Sequence, residues 1–101
     1  MTPDHRAHVR MAWDAVATGG VLHALDVVPA ALRALASPGR YHATLTWAWV
    51  LMVAERYRAD EPWPAFEARC PELFERDLVA RRYPSGQLAS SGARGAFELP
   101  R

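Results

Sequence analysis

The stretch Tyr-His-Ala-Thr-Leu-Thr-Trp-Ala-Trp-Val-Leu-Met-Val-Ala-Glu-Arg-Tyr, residues 41–57, decides the fold of this chain. Its apolar side chains recur every three or four residues, which is the spacing of one face of an α-helix. Charged side chains occur only at its C-terminal end. The pattern predicts a long, buried helix whose inward residues are Leu45, Ala48, Trp49, Met52 and Val53. We expect the other elements to pack around it.

Two helices are predicted before this segment. Thr2-Pro3-Asp4 has the residue types of a helix start and Gly19-Gly20 those of a helix end. The helix between them has Val9, Ala12, Trp13 and Val16 on one face. A second helix over residues 21–36, ended by Ser37-Pro38-Gly39, places Leu22, Leu25, Val28, Leu32 and Leu35 on one stripe. Because a proline ring blocks a helical hydrogen bond, Pro29 predicts a kink there or two short helices.

The C-terminal half contains only short helical patterns. Pro64 and Pro71 each occupy the first position of a short helix, and two serine-initiated turns follow that lay Phe97 against the other helices. No segment alternates with the period of a β-strand, and no repeat is present. The sequence therefore predicts an all-α protein, a small bundle of four to five helices in a single domain over residues 1–101.

Composition narrows the class of protein. The 101 residues carry 12 basic and 11 acidic side chains, a balance that argues against a nucleic-acid binder. All the basic residues are arginine, and lysine, isoleucine and asparagine are absent, which indicates a bacterial genome rich in G and C. The single cysteine excludes an internal disulfide framework. The longest run without charge or histidine, residues 43–54, is shorter than the ~20 residues that span a membrane, so we expect a cytoplasmic protein with no membrane partner.

Three histidines form the most specific pattern in the chain. His5 and His8 lie three residues apart on the inward face of the first helix, and His42 begins the inward face of the helix over residues 41–57. If these helices pack side by side, the three imidazoles meet, and three imidazoles can hold Zn(II), Cu(II) or Fe(II) with one position open. We therefore predict a metal site at His5, His8 and His42, with His42 and Thr46 as the catalytic residues.

A second interpretation needs no metal. Arg40, His42 and Thr44 lie at the start of the helix over residues 41–57, where unpaired backbone N–H groups and the helix dipole favour an anion. These side chains can hold a carboxylate or phosphate, and His42 can act as a general acid or base near neutral pH. Trp13 and Trp49 are assigned to the same ligand site.

A third interpretation gives the histidines only structural roles. His5 and His8 then lie half-exposed at the rim of the bundle, and His42 caps a helix or binds a loop carbonyl. The protein is in that case an interaction module, and Trp47, which lies off the inward face, is the anchor of a homodimer. Cys70 has no histidine near it in sequence and is interpreted as an inert thiol.

The sequence also resembles a known group of proteins. In order, it contains H-x-x-H in residues 5–13, G-x-Y-H-x-T-x-T in residues 39–46, and short motifs in residues 83–85 and 93–97. These motifs resemble an uncharacterised family of small bacterial helical proteins across most of the chain. The resemblance implies no particular reaction. It does imply that one shared site contains His5, His8, His42, Thr44 and Thr46.

Overall fold

A computed structural model describes residues 5–37 and 39–101. Within these residues the secondary structure is helical and no strand is present, which confirms that the protein is all-α. The α-helices are α1 (His5–Leu35), α2 (Ala43–Arg56), α3 (Trp63–Arg69) and α4 (Ser91–Gly95). Three 3-10 helices lie between α3 and α4, at Pro71–Phe74, Ala80–Arg82 and Gln87–Ala89. The predicted helix start at Thr2-Pro3-Asp4, and Pro38 of the predicted helix end, lie outside the described residues.

A sharp break at Gly20 divides α1 into two halves, residues 5–19 and 21–35. Gly20 has φ 86° and ψ −177°, a backbone conformation that is open essentially to glycine alone. The two halves fold back on each other, because residues from both ends of α1 line the same cavity. The helix end predicted at Gly19-Gly20 is therefore the reversal point of the chain.

Helix α1 continues through Pro29, so the alternative of two short helices divided at this proline is wrong. Pro29 is buried within the second half of α1, and Gly20 is the residue with non-helical backbone angles in this helix. A proline in a helix costs one backbone hydrogen bond, but its fixed φ is itself helical.

The stripe predicted for residues 21–36 is only partly correct. Val28 is buried, and Leu25 and Leu32 pack against the core, but Leu22 is 80% exposed and Leu35 is 56% exposed. At 3.6 residues per turn, Leu22 lies about 120° around the helix from Val28, so it cannot share the buried face. Leu35, the last residue of α1, lies outside the buried core and lines the cavity described below.

The length and hydropathy of α1 would also suit a membrane-spanning helix, since an 18-residue window within it has a mean hydropathy of 1.5. Asp14, His23 and Asp26 interrupt α1, so no long run free of charge and histidine indicates it. Core helices of soluble proteins have the same properties. The break at Gly20 leaves halves of fifteen residues, each shorter than the ~20 needed to span a bilayer. The cytoplasmic location stays a prediction.

The central helix α2 is covered on two sides, by α1 and by α4. Val50 and Val53 of α2 are completely buried, and Phe66 of α3 and Leu73 of the following 3-10 helix close the core. The helix predicted after Pro71 is a single 3-10 turn of four residues. Glu55 is the one exposed residue of α2, so this helix has no wide solvent-exposed face.

Candidate functional site

A cavity of about 460 Å³ opens between the two halves of α1 and the N-terminal part of α2. This volume lies within the ~300–1,000 Å³ range of small-molecule sites. Its wall is mainly apolar and includes Val9, Ala12, Val28, Leu32, Leu45 and Val50. Polar side chains interrupt this wall, and the basic and hydroxyl-bearing ones include His5, His8, Arg40, Tyr41, His42 and Thr46.

The structure brings most of the predicted site residues to this one cavity. Those that line it are His5, His8, Arg40, His42, Thr46 and Trp49. Thr44 and Trp13 do not line it. The convergence follows from the fold, because the break at Gly20 turns both ends of α1 toward the start of α2.

His42 uses both of its ring nitrogens within the protein. Nδ1 accepts a hydrogen bond from the backbone N–H of Leu45 at 3.2 Å, which makes His42 the N-cap of α2. Nε2 lies 2.7 Å from the carbonyl oxygen of Leu88 and must donate, because a carbonyl can only accept. The ring is therefore neutral, and His42 can bind a metal or exchange a proton only by giving up one of these bonds.

His5 is held in a similar way at the other side of the cavity. Its Nε2 donates to the carbonyl oxygen of Leu73 at 2.8 Å. Its ring also meets the ring of Trp49 edge-on, with centroids 4.4 Å apart. His5 and His42 thus attach α1 and α2 to two separate parts of the C-terminal segment. For His42, the contacts agree with the structural interpretation, which predicted a helix cap or a bond to a loop carbonyl.

The predicted metal ligand set is not assembled in the described part of the chain. Among residues 5–37 and 39–101, no three His, Cys, Asp or Glu side chains lie close enough to share a metal ion. His5 and His42 each point a ring N–H at a different backbone carbonyl, 2.8 Å and 2.7 Å away. Lining the same cavity therefore does not bring the three imidazoles to a common point.

The two threonines of the motif have different surroundings. Thr46 lines the cavity, and its hydroxyl donates to the carbonyl oxygen of His42 one turn earlier, at 2.8 Å. Thr44 is completely buried on another side of α2, where its Oγ1 donates to the carbonyl oxygen of Ala93 at 2.7 Å. The same oxygen accepts the backbone N–H of Glu98 at 3.1 Å. Thr44 therefore fastens the C-terminal segment to α2 and does not contact the cavity.

Trp13 belongs to an aromatic cluster in the core. Its ring lies 5.6 Å from that of Trp63 and 6.3 Å from that of Phe66, measured between centroids. The guanidinium of Arg10 covers the Trp63 ring at 4.9 Å. These contacts account for Trp13 as a packing residue, and the assignment of Trp13 to a ligand site has no geometric support.

Positive charge at the cavity comes from Arg40. Arg40 is exposed and lines the cavity, and no ion pair joins it to a carboxylate within the described residues. No acidic side chain in the described part of the chain lines the cavity. An arginine without a paired carboxylate, next to an apolar wall, favours a ligand with a negative charge at one end.

The cavity wall also contains residues that were absent from the predicted site, including Val28, Leu32 and Tyr41. The sequence does contain a signal for Leu32. A chain reversal at Gly20 places residues equally distant from it on facing positions, and His8 and Leu32 are each twelve residues from Gly20. Treating Gly19-Gly20 as a hairpin would therefore have paired these two side chains.

No protein-family model matches the chain, and neither a curated protein nor a solved structure matches it. The resemblance to small bacterial helical proteins stays a prediction. The function has to be inferred from the residues of the cavity themselves.

Proposed function

We propose that the protein is a small helical bundle that binds a small apolar molecule bearing a carboxylate. The binding site is the cavity of about 460 Å³ between α1 and α2. The observation that carries this proposal is the combination of an apolar wall with a single, unpaired arginine and no acidic side chain among the described residues that line it.

The apolar wall supplies the affinity. Removing apolar surface from water contributes about 25 cal/mol per Å², so a ligand chain lying against Val28, Leu32 and Leu45 is stabilised without any polar contact. Trp49 adds a large aromatic surface that His5 holds in place through the edge-on ring contact. This wall favours an elongated or planar apolar group but does not distinguish between different groups of that shape.

The polar side of the cavity supplies the orientation. The guanidinium of Arg40 offers paired N–H donors that match the two oxygens of a carboxylate. The Thr46 hydroxyl, whose hydrogen is already donated to His42, can still accept a hydrogen bond through its oxygen lone pairs. Recognition of the charged end therefore depends on Arg40, which is the residue to test.

Decanoate is a suitable probe, measured by titration calorimetry against the whole protein. Decanol has the same apolar chain without the charge, and decyltrimethylammonium has the opposite charge. We expect decanoate to bind more tightly than either. Arg40→Gln should weaken decanoate binding about tenfold or more, because a hydrogen bond to a charged group contributes about 1.5–3 kcal/mol, and it should leave decanol binding unchanged.

Two further variants separate the wall from the charge. Leu32→Trp fills the apolar end of the cavity and should abolish binding of both decanoate and decanol. Arg58→Gln removes an exposed arginine that does not line the cavity and should change neither. Failure of decanoate to bind, or equal losses for decanoate and decanol in Arg40→Gln, would overturn the proposal. A Zn²⁺-dependent rise in Tm that is lost in His8→Ala would do the same and favour the metal interpretation.

A further inference from the structure

A second, shallower groove runs along a different side of α1. One wall consists of residues from the second half of α1, including Leu25, Asp26 and Arg33. The other wall includes Trp47 of α2 and Phe97 of the C-terminal segment, whose rings stack with centroids 5.6 Å apart and an interplanar angle of 21°. We call this surface the Trp47 groove.

The Trp47 groove and its surroundings contain large apolar side chains that remain partly exposed to solvent. Trp47 and Phe97 are only half-buried, and they stack on each other outside the main core. Leu22 lies one turn before Asp26 on the same side of α1 and is 80% exposed. Half-exposed aromatic rings and an exposed leucine on one side of a small protein are consistent with an interaction site.

Two charged residues beside the groove indicate which kind of partner would fit it. Asp26 and Arg33 are both exposed and lie seven residues apart, which is two turns along the same side of α1. Neither belongs to an ion pair within the part of the chain that the structure describes. Arg33 instead lies over the ring of Tyr41, 4.8 Å from its centroid, which holds the guanidinium at the edge of the groove.

A helix with one acidic and one basic residue two turns apart is complementary to an antiparallel copy of itself. In that arrangement Asp26 faces Arg33 of the second copy, and Arg33 faces the second copy's Asp26. A parallel arrangement would instead oppose like charges. Ala30, which is exposed, would lie close to the two-fold axis, where its short side chain allows the helices to approach closely.

We propose that a second copy of this chain docks in the Trp47 groove, forming a two-fold dimer with the second halves of the two α1 helices antiparallel. The self-complementary charges set the register, while Leu22, Trp47 and Phe97 supply the apolar contact. The Trp47 groove and the cavity lie on different sides of α1, and Tyr41 is the described residue that lines both.

Charge reversal with mixing tests the geometry. By analytical ultracentrifugation, the whole protein should be dimeric, and Asp26→Arg and Arg33→Asp should each raise the dimer Kd about tenfold or more by opposing like charges. An equimolar mixture of the two variants should form a heterodimer close to wild type in Kd, since each charge then meets its opposite at both contacts. Asp60→Arg, an exposed charge reversal away from the groove, should leave the Kd unchanged.

Circular dichroism verifies that each variant is folded, and Leu22→Glu provides a second disruption that involves neither charge. Leu22 is so exposed that this change should weaken the dimer without unfolding the monomer. A monomeric wild-type protein would overturn the proposal. Failure of the mixture to recover the dimer would also overturn it, and so would a monomer that binds anionic lipid vesicles through Leu22.

Discussion

The reversal at Gly20 allows a specific prediction about the substitution Gly20→Ala, which adds one methyl group. With φ 86° and ψ −177°, Gly20 has a conformation that an L-residue reaches only with strain. A Cβ built at this position meets no atom within 4 Å. Gly20→Ala therefore introduces no clash, and any loss of stability that it causes reports on the backbone conformation alone.

The expected loss can be worked from two opposing effects. Placing an L-residue in such a backbone region costs about 1–3 kcal/mol. Replacing glycine also restricts the unfolded chain, which stabilises the folded state by about 0.4–1 kcal/mol. We therefore expect Gly20→Ala to lower the free energy of unfolding by about 1–2 kcal/mol, which for a domain of this size lowers Tm by roughly 5–15 °C.

Urea unfolding followed by circular dichroism measures this loss, with Gly95→Ala as the matched control. Gly95 also has open space around its Cβ position, but its φ is not positive and it lies in α4. Because alanine favours a helix, Gly95→Ala should be neutral or stabilising by up to about 1 kcal/mol. Equal stability of the two alanine variants would refute the reversal at Gly20.

A D-alanine at position 20 should change the free energy of unfolding in the opposite direction. Inverting φ 86° and ψ −177° gives an ordinary extended conformation, so D-alanine suits the observed backbone, and the restricted unfolded chain should make this protein more stable than wild type. Native chemical ligation at Cys70 allows a synthetic segment of residues 1–69 to carry it. A D-alanine protein no more stable than the L-alanine variant would contradict the backbone assignment.

Three further predictions concern other contacts. In a urea titration, Thr44→Val should lower the free energy of unfolding by about 2 kcal/mol, because it leaves buried backbone groups of the C-terminal segment unpaired. The control Thr18→Val removes an exposed hydroxyl and should change the free energy of unfolding by less than about 0.5 kcal/mol. The Arg69 guanidinium holds the pKa of Glu61 below its ordinary value, so this pair stabilises the fold above about pH 4.3 and the contribution disappears as the pH falls through the lower folded pKa. Glu61→Gln should therefore flatten the acid side of a plot of stability against pH. Burial raises the pKa of the Cys70 thiol and leaves the residue 1% exposed, so iodoacetamide should react at least about tenfold more slowly with native than with urea-unfolded protein.

The sequence predicted the helices far better than the segment that covers them. The apolar repeat of residues 41–57 and the glycines at 19 and 20 correctly indicated α2 and the end of the first half of α1. The 3-10 turns after α3 have too few residues to show a period, so their path over α2 could not be predicted. Thr44 therefore looked available to a ligand, although the C-terminal segment buries it.

The same limit explains what the histidine pattern did and did not predict. Helical spacing placed His5, His8 and His42 on inward faces, and all three line one cavity. Spacing gives the face of a helix, but it does not tell which atoms a ring nitrogen meets. The carbonyls of Leu73 and Leu88 that accept from His5 and His42 belong to the segment without a readable period.

The hydrogen bonds of the histidines also determine what chemistry remains at the cavity. His42 has donated its only N–H and committed its only lone pair, so a neutral His42 has nothing left to offer a ligand. The His42 ring therefore lines the cavity and also caps α2. Recognition of charge passes to Arg40, whose guanidinium has no carboxylate partner in the described residues and whose backbone N–H is bound to the carbonyl oxygen of Ser37 at 3.0 Å. A site built in this way is suited to holding an anion by a fixed positive charge, and proton transfer there would require the helix cap to open first.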